Sequence, residues 1–256
     1  MCDTFGENGI DVNVHKIEES NSDEINLEHT IGIAFPVAVC STYPFVWDFI
    51  KSLPESNGTE IFMVDTLGGY SGGLVGPMRN IIEKKGYEPI GAKEVIMPAN
   101  ALYVQDKVTC EKKVQEGLKM AEKYALDIIN RKVKWGRVPV LSDSMYLFSI
   151  GLLKLMVTDL NQKWFNFDPD ESKCNKCGIC VDLCPLENIE MNGENYPKHL
   201  NNCQYCVRCV SFCPREAMNN FVSYKGRTYH AIKAREFLNK DDLLKRNIKI
   251  AISVRD

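Results

Sequence analysis

Cysteines are the residues of this chain whose type and spacing could do chemistry. Eight of the eleven cysteines form two groups of four, and a proline follows the last member of each group. The groups are Cys174, Cys177, Cys180 and Cys184, and Cys203, Cys206, Cys209 and Cys213. Each member of the second group lies 29 residues after its counterpart in the first. Because thiolates are soft ligands, this repeat predicts a module that binds metal.

Two kinds of metal centre compete for these cysteines. Structural zinc sites use paired C-x2-C knuckles or mixed cysteine and histidine ligands. Three cysteines at intervals of three residues, closed by a Cys-Pro and then repeated, favour iron–sulfur clusters. Ligand softness alone does not separate iron from zinc, so zinc stays open as the alternative.

The repeated pattern C-x2-C-x2-C-x3-C-P resembles the signature of bacterial two-cluster ferredoxins. The resemblance implies two [4Fe–4S] clusters with crossed ligands, because the fourth cysteine of each group binds the other cluster. Two ligand sets follow from it: a first set of Cys174, Cys177, Cys180 and Cys213, and a second set of Cys203, Cys206, Cys209 and Cys184. It also implies that the module relays single electrons to redox partner proteins.

The region before the cysteines alternates strand-like and helical patterns. Strands are predicted at Val12–Ile17, Thr30–Pro36, Glu60–Thr66 and Glu94–Pro98, and helices at 43–53, 74–85 and 110–134. Gly86 is expected to end the second of these helices. Apolar strands that alternate with helices predict a parallel sheet covered on both faces. The predicted fold class is therefore α/β, followed by a small α+β metal-binding domain.

Two loops follow the second and third predicted strands, at 35–44 and 66–73. On these loops the region resembles flavodoxin, and the whole chain resembles a fusion, of the type found in anaerobes and archaea, of a flavodoxin-like domain with a two-cluster ferredoxin. The resemblance implies FMN as a further cofactor. The residues that it assigns to the flavin are Pro36, Val37, Thr66, Leu67, Gly68, Gly69 and Tyr70. Glycine-rich turns also occur in most doubly wound sheets, so a flavin-free scaffold stays open.

The start of the chain departs from the flavodoxin pattern. That family holds the FMN phosphate in a loop after its first strand, whereas residues 1–9 resemble the end of the first helix and its exit glycine. In a sheet of order 2-1-3-4-5, a central strand is then missing. Either Met1 is an internal methionine of a longer protein, which we expect, or the domain has lost its flavin and serves as a scaffold for partner binding.

Composition narrows the classes of function. The net charge of −3 and the pI near 5.9 give no basic field for nucleic acid. No export signal or membrane-spanning stretch is evident, so we expect a cytoplasmic protein whose cysteines stay reduced. No catalytic residue is assigned. The expected function is that of an electron-transfer protein or a flavin-coupled oxidoreductase component, while a purely structural role for the clusters is a third hypothesis.

Four segments are expected along the chain. They are a flavodoxin-like domain at 1–135, a linker or packing helix at 136–164, the ferredoxin domain at 165–218 and a C-terminal extension at 219–256.

Overall fold

The chain divides into two compact units in a computed structural model that describes residues 1–69, 71, 73–99, 103–136, 141–156, 167–219 and 252–254. The α/β unit comprises Met1–Met97, Lys113–Gly151 and Leu244–Asp256. The cysteine unit comprises Pro98–Lys112 and Leu152–Leu243. The four segment boundaries expected from the sequence stay a prediction.

The N-terminal region has the predicted alternation of strands and helices. Its elements are α1 (Cys2–Glu7), β1 (Val12–Val14), β2 (Thr30–Pro36), α2 (Pro44–Ser52), β3 (Glu60–Leu67), α3 (Val75–Lys84), β4 (Glu88–Ile96), α4 (Lys107–Ile129) and α5 (Leu141–Met156), with β9 (Ile252–Val254) from the end of the chain. Within the described residues, none of the helices combines the length and the apolar character that spanning a bilayer requires.

Strands β2, β3 and β4 run parallel, with Ile33 beside Met63 and Met63 beside Ala92. The predicted α/β class is therefore confirmed for this region. Strand β4 begins well before the predicted Glu94, because Pro89 and Gly91 disguise its first half as a turn. An edge strand tolerates such residues, and the ladder with β3 shifts register there, between Ile61 and Phe62.

Strand β9 occupies the central position that the sequence left without a strand. The sheet order is β1-β9-β2-β3-β4, and β9 is antiparallel to both of its neighbours. Ser253 lies opposite both Asn13 and Ile31. Backbone groups in the middle of a sheet need partners, and β9 supplies them. Because Val254 pairs with Thr30, the carboxyl end of β9 lies at the amino end of β2.

Each face of the sheet is covered by helices. On one face Phe62 packs against Phe5 of α1 and Tyr124 of α4, with ring centroids 6.3 and 6.2 Å apart. Side chains alternate along a strand, so Met63 and Asp65 point to the opposite face. Helices α2 and α3 bury apolar residues such as Trp47 and Met78. The ring of Tyr146 of α5 meets Trp47 edge-on at 5.1 Å, whereas the neighbouring Leu147 and Phe148 of α5 are exposed.

Asp65 is a buried acid near the carboxyl end of β3. It is 0% exposed, and neither carboxyl oxygen has a hydrogen-bond partner among the described residues. Burial raises the pKa of Asp65 to about 8, and Glu94, its neighbour on β4, raises it further. The folded protein therefore holds Asp65 as a neutral acid at pH 7, which avoids the large cost of an unpaired buried carboxylate.

The cysteine unit repeats a strand, a one-turn helix and a second strand. Its elements are β5 (Asp168–Pro169), α6 (Ile179–Asp182), β6 (Ile189–Met191), β7 (Pro197–His199), α7 (Arg208–Ser211) and β8 (Met218–Asn219). Strand β5 pairs antiparallel with β8, and β6 pairs antiparallel with β7. Helices α6 and α7 stand 29 residues apart, so the sequence repeat is also a structural repeat.

Replacing Gly86 with alanine should destabilise the α/β unit by about 2–5 kcal/mol. Gly86 follows α3 with a φ of +82°, and an added Cβ would lie 2.1 Å from the backbone oxygen of Ser56. The matched control is Gly58→Ala, because Gly58 has a φ of +92° and open space around it. That control should cost only the strain of the left-handed backbone, about 1 kcal/mol. Urea unfolding compares the two variants, and equal losses would refute the predicted clash.

Replacing Asp65 with asparagine should flatten the pH dependence of stability. A pKa raised from 3.8 to about 8 means that the folded state keeps a proton which the unfolded state releases. The wild-type free energy of unfolding should therefore fall by about 1.4 kcal/mol per pH unit between pH 5.5 and 8, and this slope should vanish in Asp65→Asn. Urea unfolding of the full chain at several pH values measures it, and parallel profiles for both proteins would contradict the burial argument. In the control, Glu94→Gln, the slope should persist but level off at a lower pH.

Candidate metal centre

The two cysteine loops share an uncommon backbone conformation. Lys176 and Gly178 flank Cys177 with φ of +58° and +75°, and their repeat counterparts Tyr205 and Val207 flank Cys206 with φ of +56° and +53°. Positive φ in residues other than glycine costs roughly 1–2 kcal/mol each. Alternating right- and left-handed residues turn successive N–H groups toward one point, which suits an anionic ligand. The loops thus keep a strained geometry that fits negative charge at their centre.

The fourth cysteine of each group accepts the same hydrogen bond. The backbone N–H of Asn188 donates to Sγ of Cys184 at 3.2 Å, and that of Ala217 donates to Sγ of Cys213 at 3.2 Å. The turns between them also match, with Glu187 and Glu216 at φ of +50° and +48°. N–H groups aimed at sulfur stabilise a thiolate and lower the cost of extra negative charge on a metal centre.

The thiols predicted as the first set line one cavity. Its wall includes Cys174, Cys177, Cys180 and Cys213, with Gly178 in the loop and Met191, Pro197 and Met218 as apolar neighbours. Cys213 belongs to the other half of the sequence repeat, so the fold brings the fourth cysteine of one group to the first three of the other. Among the described residues, no three His, Cys, Asp or Glu side chains converge closely enough to share a single metal ion. The four thiols of the first set are instead spread around the cavity wall.

The thiols predicted as the second set lie deeper. Cys203 and Cys209 are buried at 9% and 8% exposure, while Cys177 of the first set is exposed. They belong to an apolar cluster with Phe167, Tyr205 and Met218, against which Cys184 packs. The backbone N–H of Tyr205 donates to Sγ of Cys203 at 3.4 Å. The two sets therefore differ in their access to solvent.

Electrostatic coupling follows the crossed grouping. Burial raises the pKa of Cys180 to about 11, and repulsion from Cys177 and Cys213 raises it further. Burial raises the pKa of Cys203 to about 12; the Tyr205 N–H acts against this, and Cys206 and Cys184 add to it.

The most buried thiol shows the same effect. Burial raises the pKa of Cys209 far above its usual range, with further repulsion from Cys206 and Cys203 and then from Cys180 and Cys184. Thiols in such places stay protonated unless a cation replaces their protons, as a bound metal does.

His199 of β7 lies against the second set. It is 7% exposed, and Nε2 lies 3.9 Å from Sγ of Cys209. Burial lowers the pKa of His199, while the Phe167 backbone and the charge of Asp168 act in the opposite direction. The Phe167 backbone is close enough to act on the ring but does not meet hydrogen-bond geometry, since Nδ1 has no partner among the described residues.

The residues predicted to bind flavin lie at the carboxyl ends of β2 and β3. The N–H of Val37 donates to the carbonyl of Thr66 at 2.8 Å, and Pro36 pairs with Thr66 across the ladder. Gly68 and Gly69 are exposed and Leu67 is buried. The structure thus brings these two loops together. Tyr70 lies outside the described residues.

Two residues near these sites were missed by sequence reasoning. Nothing in the pattern around Asp65 distinguishes it from a polar residue at a strand end. His199 carried a signal, because the 29-residue repeat puts it at the position that Asp170 holds in the first half. That offset places it on the repeated framework that carries the cysteines.

Comparison with known proteins supports the metal centre. Residues 168–214 match the family model described as the 4Fe-4S dicluster domain. The match includes all eight cysteines of the repeat and a minor part of the chain. No curated protein and no solved structure matches the chain. The cysteine unit is thus similar to 4Fe-4S dicluster domains, which supports iron–sulfur cluster binding and electron transfer.

Proposed function

We propose that this protein passes single electrons through two [4Fe–4S] clusters to redox partner proteins. The observation that carries the proposal is the crossed arrangement of thiols, in which Cys213 joins Cys174, Cys177 and Cys180 around one cavity. When bound, such clusters supply reversible one-electron chemistry.

The chain's own residues perform three tasks in this function. The thiolates of the first and second sets hold the clusters, the left-handed loops direct N–H groups toward them, and the apolar cluster around Cys209 excludes water. Exposed Cys177 marks the edge at which a partner approaches most closely. Catalytic acids and bases take no part in this account, since electron relay requires only position and potential.

Paired alanine substitutions test the crossed ligands. Cys177→Ala combined with Cys213→Ala removes two ligands from one cluster, so about four irons per chain should remain. Cys177→Ala combined with Cys184→Ala damages both clusters, so iron content should fall close to zero. Iron and sulfide are measured on anaerobically purified full chain. The reverse result would show that each group of four binds its own cluster, and zinc in place of iron would remove the proposal.

The α/β unit carries the second part of the proposal, in which FMN lies between the loops after β2 and β3. Exposed Gly68 and Gly69 present backbone amides there, and Asp65, a neutral acid, lies one residue before the loop. The residues that would hold the ring are Pro36, Val37, Thr66, Leu67, Gly68, Gly69 and Tyr70. Bound FMN accepts two electrons and releases them singly, which suits a unit joined to one-electron centres.

A flavin-free adaptor is the alternative, and one observation favours it. In flavodoxins the central strand runs parallel to its neighbours, so the phosphate-binding loop after it lies at the carboxyl edge. Strand β9 occupies that position antiparallel, and its carboxyl end lies at the opposite edge. It therefore provides no phosphate loop there, and the α/β unit would serve as a scaffold for partner binding.

Flavin binding separates these two versions. FMN added to the full chain should bind and lose fluorescence if the loops hold it, and Gly69→Val should weaken binding at least about tenfold. A Cβ at Gly69 meets nothing within 4 Å, so this variant blocks the loop without disturbing the fold. Gly136→Val, at another open glycine, is the matched control. If the wild-type chain binds no FMN, the adaptor version stands.

A further inference from the structure

The imidazole of His199 has one polar neighbour in hydrogen-bonding range, and that neighbour is sulfur. Its Nε2 lies 3.9 Å from Sγ of Cys209, whereas Nδ1 is buried with no hydrogen-bond partner among the described residues. The ring of Phe167 packs against the imidazole with centroids 5.8 Å apart. A buried N–H placed on Nδ1 would be wasted, while one placed on Nε2 points at the thiol.

We propose that His199 donates its Nε2–H to the Cys209 thiolate and thereby raises the reduction potential of the cluster held by the second set. The inference rests on the proposed cluster function. A reduced cluster carries one more negative charge than the oxidised cluster, and that charge is shared with the ligand sulfurs. A hydrogen-bond donor aimed at one of those sulfurs stabilises the reduced form more than the oxidised one.

The effect belongs to one cluster only, because the repeat is asymmetric at this position. Asp170 stands 29 residues before His199, and a carboxylate accepts hydrogen bonds rather than donating them. Asp170 is exposed, accepts from Ser172 Oγ at 2.6 Å and pairs with Lys173 at 3.3 Å. The first set therefore has an exposed acid where the second set has a buried ring. The low dielectric around Cys209 strengthens the bond from His199.

Potentials of the two clusters in the full chain test the proposal. The protein is titrated with dithionite under redox mediators, and each cluster is followed by electron paramagnetic resonance. His199→Leu should move the potential of one cluster to a more negative value and leave the other unchanged. His199→Gln, which keeps a side-chain N–H, should stay closer to wild type. Cys177→Ser identifies the unaffected cluster, because it perturbs a ligand of the first set.

Two controls separate hydrogen bonding from packing. Phe167→Leu loosens the same apolar cluster but keeps the imidazole, so its shift should be smaller than that of His199→Leu. Wild-type protein labelled with [15N]histidine should show a histidine nitrogen coupled to a reduced cluster in electron–nuclear double resonance. That measurement requires no substitution, so it holds even if His199→Leu fails to assemble.

Several results would overturn the inference. They are an absent histidine coupling, equal shifts for leucine and glutamine at position 199, equal shifts of both clusters, or a Phe167→Leu shift as large as that of His199→Leu. Iron and sulfide content separates this outcome from failure of the proposed function. A chain with both clusters and unmoved potentials refutes only the role of His199, whereas a chain without iron–sulfur clusters refutes both.

Discussion

Repulsion among buried thiols is the constraint on which the cysteine unit depends. Burial and mutual repulsion raise the pKa of Cys180, Cys203 and Cys209, so the thiolate forms that bind metal are unfavourable until a cation joins them. The loops around Cys177 and Cys206 add left-handed strain. A fold that concentrates these costs at one place is arranged for a bound group that offsets them, and iron has both the charge and the affinity for sulfur.

The α/β unit meets a different constraint, the need to pair every central strand. Strand β9 lies between β1 and β2 and closes the sheet with antiparallel pairing. This leaves the carboxyl ends of β2 and β3 side by side at one edge, where the carbonyl of Thr66 fixes the N–H of Val37. Asp65 lies buried at the same end of β3, and its neutral form keeps an uncompensated charge out of the sheet.

The sequence predicted what short-range pattern encodes. The spacing of the eight cysteines indicated the repeat, and apolar runs indicated β2 and β3, because local chemistry and backbone geometry coincide there. Long-range pairing was beyond reach, so β9 was not foreseen, since a three-residue strand far along the chain has no periodicity to detect. His199 and Asp65 were missed for a similar reason: their roles arise from burial and neighbours that only the folded chain defines.

Iron and inorganic sulfide content of the anaerobically purified full chain tests the central claim most directly. Two [4Fe–4S] clusters predict about eight irons and about eight sulfides per chain, with a broad visible absorption that dithionite bleaches. A colourless protein that holds zinc and no sulfide would contradict the account, because the crossed thiols would then serve a structural metal and carry no electrons.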